Sequence, residues 1–106
     1  AEPELAKDTW LSFRKGERIE IPPSETIADG LRPTKPGALT FPIVQRLVED
    51  ILLVSEDEIG ETQAFIASRL KLVVEPSGAV SAAVALFRKL PAGLHRVGII
   101  FSGGNV

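Results

Sequence analysis

Cysteine is absent from the 106 residues, so neither a disulfide framework nor a thiolate zinc site can form, a composition that suits a reducing cytosol. Charge of one sign is lacking too: 12 Lys and Arg are scattered among 14 Asp and Glu, for a formal charge of −2. No basic stripe interleaved with aromatic residues marks a nucleic-acid face, and nucleic acid is not an expected partner. No apolar run approaches the about 18 residues of a membrane span, and no membrane association is expected. With Glu2 and Glu4 in place, the first residues are not expected to act as a secretion signal, and a cytoplasmic location is expected. Internal repeats are missing. The length is that of one domain at most, enough for a modest core but small for a cofactor enzyme with a buried site.

What is present is an alternation of strand and helix signals. Leu5, Trp10, Leu11 and Phe13 predict a short helix over 5–13, stopped by Gly16, with Trp10 in the core. Arg18, Ile19, Glu20 and Ile21 alternate like an edge strand, which Pro22, Pro23 and Ser24 end. Pro33, Lys35, Pro36 and Gly37 mark 31–40 as an exposed connection. Ile43, Val44, Leu47 and Val48 share a helical face that leads into a short strand over 51–54. Ser55 to Glu58 is a capping box, in which the serine oxygen takes a first-turn amide proton and Glu58 reaches back. The helix it starts carries a stripe of Ile59, Thr62, Ile66 and Leu70 with Phe65 at the margin, and Gly60 costs it about 1 kcal/mol relative to alanine. Pro76 suits a first helical position; Val80, Val84 and Phe87 then recur among alanines small enough to pack closely on a sheet.

Val97, Gly98, Ile99 and Ile100 read as a buried strand running into Ser102, Gly103, Gly104 and Asn105. The carboxyl end of such a strand is where an open α/β sheet binds ligands. The two glycines admit close backbone approach and Ser102 offers one hydroxyl, although the same residues also make an ordinary turn. Strand alternating with helix is the α/β pattern, with too few elements to close a doubly wound fold.

Taken in order, Ala1-Glu2-Pro3, the stretch Glu25 to Leu31, Leu72 to Ala79, and Ser102 to Val106 resemble the C-terminal part of the pyridoxal-phosphate enzymes of the serine/threonine dehydratase and serine racemase family. Residues 40–59 are similar to it too, and only 5–24 carry little signature. The resemblance implies an α/β architecture, the C-terminal portion of the large cofactor-binding domain of a type II pyridoxal-phosphate enzyme. Residues 1–106 would then form a partial domain, incomplete on its own. It implies that Glu2, the carbonyl of Ala6 and Asp8 ligate a divalent cation, and three hard oxygens suit Mg²⁺, Ca²⁺ or Mn²⁺ rather than zinc. Pro3 keeps Glu2 out of helical conformation, so its carboxylate can fold toward Asp8; two solvated acids are the alternative.

By the same resemblance Gly30, rather than Asp29, approaches the cofactor face, Glu75 lies beside the pyridine ring, Gly103 belongs to the cofactor site, and Ser102 hydrogen-bonds the pyridine nitrogen. Read without it, Asp29-Gly30 is a turn dipeptide and Glu75 simply favours a helix dipole. A hydroxyl in place of an aspartate leaves the ring nitrogen largely unprotonated and the electron sink weaker, which favours prompt loss of a β-hydroxyl over transamination. Lys71 and Asn105 match positions that contact ATP in the racemase branch, but a helix-end lysine and a turn asparagine are also ordinary structural residues. Lys15 is not the cofactor lysine, whose motif lies upstream of Ala-Glu-Pro in the family. His95 has no partner motif and belongs to the surface.

The family's cofactor-bearing lysine, its Ser-rich loop for the substrate carboxylate and its glycine-rich phosphate loop have no counterpart here. No catalytic residue is therefore expected in this segment, which alone should be inactive; either the remainder of a longer enzyme chain or another chain supplies the rest. The implied activity is that of a threonine/serine ammonia-lyase, α,β-elimination of a hydroxy amino acid to a 2-oxo acid and ammonia, in a homo-oligomer. Serine racemase is the alternative within the family, and a non-catalytic cation-binding or interaction fragment is the alternative outside it.

Overall fold

A computed structural model describes residues 1–106 and places β1 (Glu2–Pro3), α1 (Asp8–Lys15), α2 (Phe41–Leu47), β2 (Leu53–Val54), α3 (Glu56–Phe65) and α4 (Pro76–Leu86) in that order. The two strands pair in parallel, Glu2 opposite Leu53 and Pro3 opposite Val54, and Glu2 N–H donates to Leu52 O at 2.9 Å. A parallel pair needs a long crossover, which α1, α2 and their connections provide. The strand expected over 51–54 is thus formed at Leu53–Val54, and the first residues add a partner strand.

Helix α1 starts at Asp8 rather than at residue 5, because a 3₁₀ turn over Glu4–Ala6 precedes it. It ends at Gly16, whose φ of 82° is the left-handed conformation that glycine adopts without penalty; its N–H closes the helix on Ser12 O at 2.8 Å. The capping box of α3 forms as read: Glu58 N–H donates to Ser55 Oγ at 3.2 Å and Ser55 N–H to Glu58 Oε2 at 2.8 Å. Pro76 opens α4, where its missing N–H costs nothing.

Helix α4 organises the core. It packs on α3 and on both strands, burying Gly78, Ala79, Val80, Ala82, Ala83 and Val84. On one side Val80, Ala83 and Val84 meet Ala28, Val54 and Ile59; on the other Ala79 and Ala82 meet Ile66 and Val74, with Phe101 against them. Each fully buried valine or isoleucine contributes about 1.5–3 kcal/mol, and the small residues of α4 let both clusters come close to its axis.

Several expectations are corrected. Arg18 to Ile21 form no strand, because Ile19 N–H donates to Ser12 Oγ at 2.7 Å and Ile21 N–H makes a lone bond to Thr34 O at 2.8 Å instead of a ladder. Val97 to Ile100 form no buried strand either: Ile100 is 78 % exposed, and its carbonyl accepts from Ser81 Oγ at 2.7 Å rather than from a neighbouring strand. In the α3 stripe Ile59, Thr62 and Ile66 are buried, but Leu70 is half-exposed. The chain widens into a π-helical turn over Ile66–Leu70, and that pitch carries Leu70 off a stripe spaced for 3.6 residues per turn. Of the expected face, Ile43, Val44 and Leu47 lie on α2 while Val48 is extended just past its end, and only Phe41 of that helix is buried. Trp10 is half-buried rather than core, with Arg14 4.8 Å and Lys7 5.7 Å from its ring centre, a cation–π arrangement that keeps it at the surface. No helix is long and apolar enough to cross a membrane.

Candidate functional site

The first turn of α4 gathers two distant segments. Pro76 holds Glu75 extended (φ −69°, ψ 159°) at the head of the helix, which leaves its backbone N–H free to donate to Gly103 O at 3.0 Å. The Glu75 carboxylate lies against Gly103, so any side chain there would collide with Glu75 Oε1, and the Gly103 φ of 149° belongs to the region glycine favours. A Cβ on Gly78 would sit 3.0 Å from Gly103 O and 3.3 Å from Gly103 N. Neighbouring Ser102 is exposed.

From the other side, Gly30 N–H donates to Ser77 Oγ at 2.8 Å. A Cβ on Gly30 would stand 3.0 Å from that oxygen. The structure therefore brings Gly30, Glu75 and Gly103 to one helix terminus, with Ser102 adjacent. Asp29 turns outward, 86 % exposed and 3.5 Å from Arg32, and only Gly30 of the pair bonds to α4. Ser77 was not singled out by the sequence, where its one signal is a hydroxyl directly after the proline that opens a helix.

Glu2, Ala6 and Asp8 are all buried beside α1. Glu2 Oε2 accepts from Trp10 N–H at 2.7 Å and Oε1 from Thr9 N–H at 3.2 Å. Those amides are unpaired donors of the first helical turn, and Lys7 at the cap position offers no acceptor; a carboxylate from β1 takes its place. Burial raises the Glu2 carboxyl above its ordinary pKa, opposed by the bonds from Trp10 and Thr9 and reinforced by the like charge of Asp8. Burial raises Asp8 as well. No group of three or more His, Cys, Asp or Glu side chains that could hold a metal ion is present. Both acids line, with Gly30 and Lys35, one open cleft of about 230 Å³.

Lys71 is in the left-handed conformation (φ 58°) after the π-helical turn, its Nζ donating to Ser68 O at 2.6 Å, a helix-end role. Lys15 pairs with Glu17 at 3.5 Å on the surface, and His95 and Asn105 are exposed.

Residues 1–103 match the family described as "Pyridoxal-phosphate dependent enzyme". Serine racemase of Schizosaccharomyces pombe is 46% identical over 105 residues, 99% of this chain and 32% of that protein. L-threo-3-hydroxyaspartate ammonia-lyase of Saccharomyces cerevisiae is 44% identical over 99% of this chain and 32% of its own length. Among solved structures, maize serine racemase superposes with a TM-score of 0.93 at 42% identity, covering 100% of this chain and 33% of the other. The T.th. threonine deaminase gives 0.92 at 38% identity, covering 99% of this chain and 38% of the other. The chain spans about a third of the length of the curated relatives it matches. With an α/β fold shared at that level and a family match over nearly every residue, this chain belongs to the pyridoxal-phosphate dependent enzymes.

Proposed function

We propose that the complete protein is a pyridoxal-phosphate-dependent ammonia-lyase that takes serine or threonine to a 2-oxo acid and ammonia. The observation that carries this reading is the convergence of Gly30, Glu75 and Gly103 on the first turn of α4, with Ser102 beside them. Glycine at both approaching segments lets Ser77 Oγ and the Glu75 carboxylate come against the backbone where a Cβ would collide, so both segments close on the helix terminus. Bound there, the cofactor supplies the electron sink that makes the substrate's α-proton acidic. Ser102 would hydrogen-bond the ring nitrogen without charging it, and Glu75, through its backbone N–H, holds the Gly103 segment in register with α4. The substrate loses its α-proton and its β-hydroxyl, which leave together as water, and the released enamine hydrolyses to the 2-oxo acid and ammonia. The cofactor-bearing lysine and the phosphate loop belong to the remainder of the enzyme chain, which we place in a cytoplasmic homo-oligomer.

We further assign Glu2, Asp8 and the Ala6 carbonyl to a divalent cation, Mg²⁺, Ca²⁺ or Mn²⁺. Two buried carboxyls with raised pKa values leave negative charge that a cation would offset. Each Glu2 oxygen accepts one amide and keeps a further lone pair. Serine racemisation is the second reading, supported by relatives that bear that name beside those named ammonia-lyases.

The full-length enzyme, given L-serine and L-threonine, tests both. Ammonia released in step with 2-oxo acid supports elimination, D-serine formed faster than 2-oxo acid makes the protein a racemase, and neither product returns it to a non-catalytic cation-binding or interaction role. Chiral chromatography and a keto-acid assay on one reaction mixture separate the three.

A further inference from the structure

The segment that carries Gly30 is fastened at two points, by Ser77 and by Glu56, a side chain that the cofactor reading does not use. Glu56, at the first position of α3, accepts Ile27 N–H on Oε1 at 2.6 Å and the Thr26 hydroxyl on Oε2 at 2.9 Å. Thr26 is fully buried; its Oγ1 in turn accepts Ala28 N–H at 3.2 Å, and its carbonyl accepts from Arg32 Nε at 3.0 Å. Ser77, in the first turn of α4, takes Gly30 N–H at 2.8 Å. A loop of seven residues, 26–32, is thus bonded to the starts of two different helices, each of which is itself anchored in the core. The Glu56 carboxylate spans two donors on the loop, one of them charge-assisted to backbone, an arrangement that fixes orientation as well as distance.

We infer that Glu56 and Ser77 are positioning residues that latch the Thr26–Arg32 loop so that the Gly30 backbone is held at the cofactor face. The inference rests on the assignment of Gly30 to that face under the proposed function. Its logic is preorganisation: an unlatched loop must be ordered when the cofactor binds, and that cost appears as weaker binding. Glu56 has a second consequence. It ties the loop to the first turn of α3, which the Ser55–Glu58 capping box closes.

The test uses the full-length enzyme and compares Glu56→Ala, Glu56→Gln and Ser77→Ala with Asp57→Ala. Asp57 is an exposed acid in the same first turn of α3, so its loss removes the same favourable helix-end charge without touching the loop. In the apoenzyme, hydrogen exchange in peptides covering 26–32 is expected to speed up for Glu56→Ala and Ser77→Ala, less for Glu56→Gln, which keeps one acceptor, and not for Asp57→Ala. The dissociation constant for pyridoxal phosphate is expected to rise about two- to tenfold for each latch variant, the range that one such hydrogen bond sets. Unchanged exchange in 26–32 overturns the latch. Faster exchange with an unchanged cofactor constant overturns the positioning role. A constant weakened equally by Asp57→Ala also overturns it, since the cause would then be helix stability. Ser102→Ala run in parallel tests the site reading separately: if it changes the bound cofactor's absorbance while the latch variants bind cofactor like wild type, the site stands and this inference falls.

Discussion

Replacing Gly78 by alanine sets two effects of opposite sign against each other. Glycine inside a helix costs about 0.5–1 kcal/mol relative to alanine, so propensity favours the change. Packing opposes it: the new Cβ would stand 3.0 Å from Gly103 O, 3.0 Å from Val74 Cγ1 and 3.3 Å from Gly103 N. Two of those three atoms are backbone and cannot rotate away. Overpacking of this kind costs about 1–3 kcal/mol, which leaves a net destabilisation of roughly 0–2.5 kcal/mol. Gly60 provides the control, because nothing lies within 4 Å of its Cβ position on α3. Gly60→Ala should therefore stabilise by about 0.5–1 kcal/mol. Propensity cancels between the two variants, and their stabilities should differ by about 1–3 kcal/mol, the packing cost alone. Urea unfolding of the full-length enzyme reads this as a lower midpoint for Gly78→Ala at similar slope. The same displacement moves Gly103 and with it Ser102, so cofactor affinity should fall for Gly78→Ala and hold for Gly60→Ala. Equal midpoints for the two variants would refute the claim that Gly103 packs on the head of α4.

If Glu2 ligates a cation, adding Mg²⁺ or Ca²⁺ at 100 times its dissociation constant should stabilise the full-length enzyme by about 2.7 kcal/mol, and Glu2→Gln should abolish that response; thermal melts that respond identically in both proteins would return Glu2 to a helix cap alone. The pH dependence has a defined sign. Because burial raises Glu2 and Asp8, their contribution to stability in metal-free enzyme is fully present below the unfolded pKa values and is lost as pH rises through the raised folded ones, and saturating cation should flatten that decline. Glu58 runs the other way: burial alone would raise it, but the hydrogen bond and charge of Lys89, with the Ser55 amide, hold it below its ordinary value, so its contribution is present above the unfolded pKa and disappears as pH falls through the folded one. Melting curves from pH 3 to 8 should show this acid-side decline reduced in Lys89→Met, which leaves the Ser55 amide bond in place. Ser102→Asp in the holoenzyme should raise the pKa of the ring nitrogen, shift the bound cofactor's absorbance and slow elimination, whereas Ser102→Ala should cost only a hydrogen bond of roughly 0.5–1.5 kcal/mol; wild-type turnover and spectrum for Ser102→Asp would place that residue away from the cofactor.

Signals confined to a few neighbouring residues were legible in the sequence. The capping box at Ser55 and Glu58, the left-handed stop at Gly16 and the proline that opens α4 all act within one helical turn, and each took the form its residues implied. Strands fared differently. Arg18 to Ile21 and Val97 to Ile100 have the composition of strands, but a strand exists only through a partner's backbone, and here Ser12 and Ser81 bond their backbones instead. Leu70 left its stripe because a π-helical turn changes the period that a sequence pattern assumes. The resemblance named Gly30, Glu75, Ser102 and Gly103, yet it did not say that α4 is where they meet. The same holds for Glu2, whose partners were read as a cation set and whose carboxylate also caps α1. Ser77 and Glu56 were not read as site residues, because their partners lie 47 and 29 residues away and no local pattern encodes a hydrogen bond across that separation. Composition, caps and family motifs follow from residue identity and short-range sterics. The meeting of loop and helix terminus that builds the candidate site follows only once the core of α3, α4 and the parallel strands has brought those backbones together.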